Sequence, residues 1–141
     1  MIAEVLAAKS ALASLSIPVY VSEAPSDAPL PRIILWTSAG ARSLDTGVVP
    51  VGDVIDDQLG VTLAAETAEA VLVLAPQARA LLTPTGVGSL TVTGRTVTLE
   101  HVEARAVQID RDVTIPNTNR HPAYGVDLFR LVSIQIGRAH V

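Results

Sequence analysis

Ile2-Ala3-Glu4-Val5-Leu6-Ala7-Ala8-Lys9-Ser10-Ala11-Leu12-Ala13-Ser14-Leu15 runs through Ile17-Pro18 into Val19-Tyr20-Val21, and Arg32-Ile33-Ile34-Leu35-Trp36-Thr37 follows a proline-studded spacer. Ile2, Val5, Leu6, Leu12 and Leu15 fall broadly along one side of a helical wheel, with Glu4, Lys9 and Ser10 elsewhere, which predicts an amphipathic helix docked on a sheet. Pro18 ends it and commits Ile17 to extended backbone. Val19 and Val21 alternate with Tyr20 and Ser22 as in a half-buried strand. Pro25, Pro29 and Pro31 stiffen the spacer and block strand pairing within it. The β-branched and aromatic content of 32–37 then predicts a second strand. Helix, strand, stiff spacer and strand, in that order, set the α+β class.

The pattern changes at residue 38. From Ser38 to Asp57 there is no clear period, and Gly40, Gly47, Pro50 and Gly52 interrupt it. A connection this long in one domain is expected to be a protruding arm or interface loop, with a plain surface excursion as the alternative. Gln58 to Ala64 reads as a strand, Leu59, Val61 and Leu63 on one face and Gly60 and Thr62 on the other. A helical pattern follows to Leu82, with Thr67 placed to cap it and Pro76 expected to kink it or split it in two. The last third reads as sheet. Thr93-Gly94-Arg95-Thr96 suggests a hairpin turn, Ala106 to Ile115 a strand with a polar break, 116–122 a loop, and Val126 to Ile136 a closing strand. Along that last strand Val126, Leu128, Leu131, Val132 and Ile134 are expected to face the core, with Asp127, Arg130, Ser133 and Gln135 facing away. Residues 137–141 are expected to be a tail. The expected fold is a single α+β domain over 1–141, a mixed, mostly antiparallel sheet packed against two main helices with long interface loops.

Composition narrows function more than it defines it. The chain has 141 residues, enough for one sizeable core. That core is built from Ala, Val, Leu and Ile, since Trp36, Phe129, Tyr20 and Tyr124 are all the aromatics present. With 14 acidic against 10 basic residues and Lys9 as the one lysine, there is no basic cluster to grip nucleic acid. The absence of cysteine excludes disulfides and thiolate metal sites. No apolar run approaches a membrane span, and Met1-Ile2-Ala3-Glu4 lacks the basic start of a secretory signal, so neither membrane nor leader is expected.

Few residue patterns in the chain suggest chemistry. His101, His121 and His140 are far apart. At i, i+2 on one strand, His101 and Glu103 would share a face, but two ligands are too few for a metal, and a surface pair is the plainer expectation. Asp53, Asp56 and Asp57 form an acidic cluster that lacks the alternation and glycine of a calcium loop, and is expected to be a solvated edge. Gly86-Val87-Gly88-Ser89 follows a helix and precedes a strand, the reverse of a phosphate-binding loop. Neither a nucleophile elbow nor a His-Glu-x-x-His pattern is present. The expectation is a chain that is not an enzyme, with no catalytic residues, metal or cofactor.

The layout as a whole resembles the tail-terminator, or tail-completion, family of long-tailed, non-contractile phages. The resemblance rests on the N-terminal helix, Val19-Tyr20-Val21, the proline loop, and Leu30-Pro31-Arg32-Ile33-Ile34-Leu35, where Arg32 stands in place of the family's usual aromatic. It extends through the 58–64 strand, the helix with Glu66, Glu69 and Arg79, and Asp127-Leu128-Phe129-Arg130-Leu131-Val132-Ser133-Ile134. What the resemblance implies is a structural virion protein at the tail–head junction, assembled in the host cytoplasm. It would form a homo-oligomeric ring of about six copies on the head-proximal end of the tail tube, closing head to tail by rotation. That ring would stop tube polymerisation and join the tube protein to the head-side connector, with DNA passing through its lumen without specific binding. Under this reading the 38–57 arm and the 116–125 loop carry the contacts, with Arg42, Arg120 and Tyr124 as anchors, since Arg and Tyr are enriched at interfaces. The alternatives are another neck, connector or tail-tube subunit and, in a different class, a small-molecule-binding or enzyme subunit of α+β type.

Overall fold

A computed structural model describes residues 1–38 and 54–136. In chain order the elements are α1 (Ile2–Ala11), β1 (Val19–Val21), β2 (Arg32–Thr37), β3 (Val54–Ala65), α2 (Ala68–Leu82), β4 (Val87–Val92), β5 (Arg95–Ala104), β6 (Gln108–Ile109) and β7 (Ala123–Gln135). The sheet runs β1-β2-β3-β7-β5-β4, with β6 on β7 beyond the end of β5. Among the described residues β1 and β2 are parallel and every other pair is antiparallel. This is the expected α+β class.

Both helices cover the same face. Val5 and Ala8 of α1, with Leu12 at its C-terminal cap, join Val71, Leu74, Ala78 and Leu82 of α2 over Leu59, Val61 and Leu63 of β3 and Phe129 and Leu131 of β7. Each such buried aliphatic side chain contributes roughly 1.5–3 kcal/mol. The longest pairing is β3 with β7, in register from Val54↔Ile134 to Ala65↔Ala123. Val54 to Asp57 therefore belong to a strand and not to the expected arm, because their backbone groups pair with β7. Residues 39–53 of that arm and the 137–141 tail lie outside the described residues.

The first helix is shorter than its pattern and turned differently. It ends at Ala11, a 3₁₀ turn follows at Ala13–Leu15, and Ser16 takes a left-handed conformation at φ 56°. Its buried stripe is Glu4, Val5 and Ala8, while Ile2 and Leu6 are exposed. Glu4 is the charged member of that stripe. Its carboxylate meets the Ser133 hydroxyl at 3.5 Å and Arg95 Nε at 3.7 Å, so the charge is compensated at the sheet.

In the second helix the Ala70 amide donates to Thr67 Oγ1 at 3.1 Å, the cap that the sequence predicts. Pro76 does not split the helix, which continues as one element to Leu82. Leu72 and Pro76 are both exposed, so water can take the carbonyl that proline leaves without its helical donor. At the helix exit a Cβ on Gly88 would stand 2.0 Å from the Leu82 carbonyl oxygen, so only glycine lets β4 pass this close. The hairpin forms as expected, with Val92↔Arg95 closing a two-residue turn and Gly94 at φ 77°.

Two expectations about the late strands are corrected. Of 106–115 only Gln108–Ile109 is strand, because β5 and β6 are slipped against β7. On β7 Leu131 faces the helices and Arg130 faces away, as expected, but the other faces are reversed: Asp127 and Ser133 face the helices beside Phe129, and Val126, Leu128 and Val132 face away. Asp127 and Ser133 are buried because each has a polar partner waiting. Arg79 Nη2 of α2 donates to Asp127 at 3.0 Å, and Arg95 Nε donates to Ser133 Oγ at 2.5 Å.

Candidate functional site

The face away from the helices carries Arg32, Ile34, Trp36 and Tyr124. Strand alternation sends Ile33 and Leu35 into the core and Arg32, Ile34 and Trp36 to the other side. Trp36 lies flat over Gly60 and donates from Nε1 to Thr62 Oγ1 at 3.0 Å. Arg32 stands at the start of β2, paired in register with Ala64. Its Nη1 donates to the Ala28 carbonyl at 3.0 Å, which folds the proline-rich spacer back over the strand.

Arg32 and Pro122 together wall two adjoining cavities, of ≈ 300 Å³ and ≈ 230 Å³. The larger lies between Ser26–Leu30 and the 113–116 segment, with Glu66 on its rim. The smaller is lined by Ile34, Thr62, Ala64, Asp110, Ala123 and Tyr124.

The loop closing this groove is internally braced. Buried Ile115 anchors it, its amide donating to the Arg120 carbonyl at 2.8 Å. Thr118 Oγ1 donates to the Ile115 carbonyl at 2.8 Å, Asn117 turns the chain at φ 65°, and His121 Nδ1 lies 2.6 Å from the Val113 carbonyl.

Two of the three expected anchor residues belong to this groove. Tyr124 lines it and donates its hydroxyl to Gln108 Oε1 at 2.9 Å. Arg120 reaches across to Glu66 at 3.8 Å, an exposed pair worth little energetically but one that ties the loop to the start of α2. Arg42, the third, lies outside the described residues.

The acidic residues do not form a common site. Asp53 lies outside the described residues. Asp56 and Asp57 are neighbours on β3 and so point to opposite faces. Asp56 pairs with Arg130 at 2.7 and 3.0 Å, and the hydrogen bond from that guanidinium holds its carboxyl below the usual range against the opposing effect of burial. Asp57 accepts from the Ser38 hydroxyl and from the Gln58 amide. This end of β3 is about 26 Å along the strand from Ala64 and the Arg32 groove. Among the described residues, no three His, Asp or Glu side chains are placed to hold a metal.

His101 and Glu103 are likewise separated. A bulge at Val102 turns His101 to the helix face, edge-on to Phe129 with ring centroids 5.2 Å apart, while Glu103 opposes Leu128 on the other face. His101 Nε2 lies 3.6 Å from Asp127 Oδ1, beside the Arg79 pair. This cluster pins α2 to the sheet.

Patterning along the chain does not show that Glu4 and Asp127 are buried or that Arg32 walls this groove. The available signal for Arg32 was a guanidinium opening an otherwise apolar strand. No family model matches the chain, and no curated protein matches it. Among the described residues no helix is long and apolar enough to cross a membrane.

Proposed function

We propose that this chain is a ring-forming structural subunit that caps the head-proximal end of a phage tail tube and joins it to the head connector. The observation that carries this reading is the one-sided cover of the sheet. Both helices pack on the face of Leu59 and Phe129, and among the described residues no helix covers the face of Trp36, Arg32 and Tyr124. A head-to-tail ring needs two different surfaces on one chain. Here the helix layer and the groove-bearing sheet face differ in shape and chemistry, and the Asp56–Arg130 pair marks a second, distant region of that sheet face. The order of elements along the chain also supports the assignment. It is helix, strand, proline loop, strand, long connection, strand, helix and closing strands.

The test is solution mass by light scattering across concentration, with and without Mg²⁺, together with negative-stain imaging and mixing with purified tail tubes. Rings of about six copies with an open centre are expected. A concentration-independent closed dimer or tetramer, and no attachment to tubes, would refute the assignment.

A further inference from the structure

We infer that the Arg32 groove is a carboxylate-recognition site. The inference names the chemistry of a contact that, on the proposed ring reading, a second copy of the chain supplies. Arg79, Arg95, Arg105, Arg120 and Arg130 each have a carboxylate oxygen within 2.7 to 3.8 Å. Among the described residues Arg32 and Arg111 have none; Arg111 is exposed, whereas Arg32 is half-buried and walls two cavities. Its Nη1 is engaged by the Ala28 carbonyl, and its Nε is buried with no acceptor. That leaves Nη2, without a partner among the described residues, as the guanidinium group that can donate a charge-assisted hydrogen bond to a carboxylate entering the cavities.

The rest of the lining selects the kind of anion. Asp27, Glu66 and Asp110 also line the cavities. Glu66 is taken by Arg120, and Asp110 Oδ1 accepts the Asp112 amide at 3.2 Å. A polyanion such as a nucleic-acid backbone would meet these three carboxylates, whereas a single carboxylate meets the guanidinium with least repulsion. The chain itself is rich in carboxylates, 14 against 10 basic residues, so a second copy is a ready source. A free small carboxylate offers the same group.

The experiment follows the Arg32 Nε–H signal of the ¹⁵N-labelled full chain by NMR, assigned by its loss in Arg32→Gln. In one arm, dilute protein is titrated with sodium acetate against sodium chloride at equal ionic strength. In the other, the concentration at which wild type, Arg32→Lys and Arg32→Gln assemble is read by light scattering. A saturable shift with acetate and not chloride supports the site and shows that it is open to free carboxylates. A rise of about tenfold or more in the assembly concentration of both variants, with melting temperature unchanged, supports the site and assigns the carboxylate to a second copy. An acetate response in a chain that never forms rings keeps the site and removes the ring reading. Rings that assemble equally well in all three proteins, with no acetate response, overturn the site and leave the ring reading standing.

Discussion

Replacing Asp127 by Asn tests whether a buried ion pair fixes α2 on the sheet. Asp127 is 3% exposed and accepts from Arg79 Nε at 3.2 Å and from Nη2 at 3.0 Å, with His101 Nε2 at 3.6 Å. The asparagine keeps the shape but removes the charge, and its NH₂ group would turn a donor toward a guanidinium that has only donors. Breaking a fully buried pair costs about 3–5 kcal/mol. Arg79 retains 31% of its side-chain exposure, so water recovers part of that cost and the expected loss is about 2–3 kcal/mol. For a domain of this size that lowers the melting temperature by about 6–12 °C. Arg79→Met leaves the Asp127 carboxylate buried beside His101 alone, and a loss of about 3 kcal/mol is expected. The double variant should lose little more than the larger single, because one interaction is removed twice, giving a coupling of about 2 kcal/mol. Urea unfolding followed by circular dichroism reads all three. Losses below about 0.5 kcal/mol, or simple additivity of the two singles, would refute the claim that the pair anchors the helix.

Gly60→Ala would place a Cβ 2.1 Å from Trp36 Cε2, so the indole must leave Thr62. A loss of about 1–3 kcal/mol and a red-shifted emission from the single tryptophan are expected, and an unchanged spectrum would contradict the stacking. Gly88→Ala meets backbone, the Leu82 carbonyl at 2.0 Å, whereas Gly86 at φ 84° has open space around it. Denaturant midpoints should therefore fall more for Gly88→Ala than for Gly86→Ala, whose cost is about 1 kcal/mol, and the reverse order would be inconsistent with the close approach of β4 to α2. The Asp56 carboxyl is held below its usual range by the Arg130 hydrogen bond, so its contribution to stability is present above the unfolded-state pKa and fades as pH falls through the folded one. In Arg130→Gln the Asp56 carboxyl carbon should titrate at higher pH by NMR; an unmoved midpoint would mean that the pair does not persist in solution.

What the sequence determined by itself was local. The Leu59, Val61, Leu63 alternation, the Thr67 cap, the Thr93-Gly94 turn and the α+β class all follow from periods of two and 3.6 and from the backbone preferences of single residues. The tertiary structure decided where charges could be buried. Glu4, Asp127 and Ser133 read as solvent-facing because a polar residue on a half-apolar strand or helix is assigned to water by default. They lie inside because Arg95 and Arg79, 91 and 48 positions away in the chain, arrive to compensate them. Pairing with β7 also made Val54 to Asp57 a strand, whose alternation sends Asp56 and Asp57 to opposite faces, and the bulge on β5 separated His101 from Glu103; of the expected 106–115 strand only two residues pair with β7. The tertiary structure also made a groove from Arg32, Pro122 and Tyr124, which no spacing along the chain connects. Periodicity fixes which way a side chain points relative to its own element; whether a partner stands there depends on segments that meet only when the sheet closes.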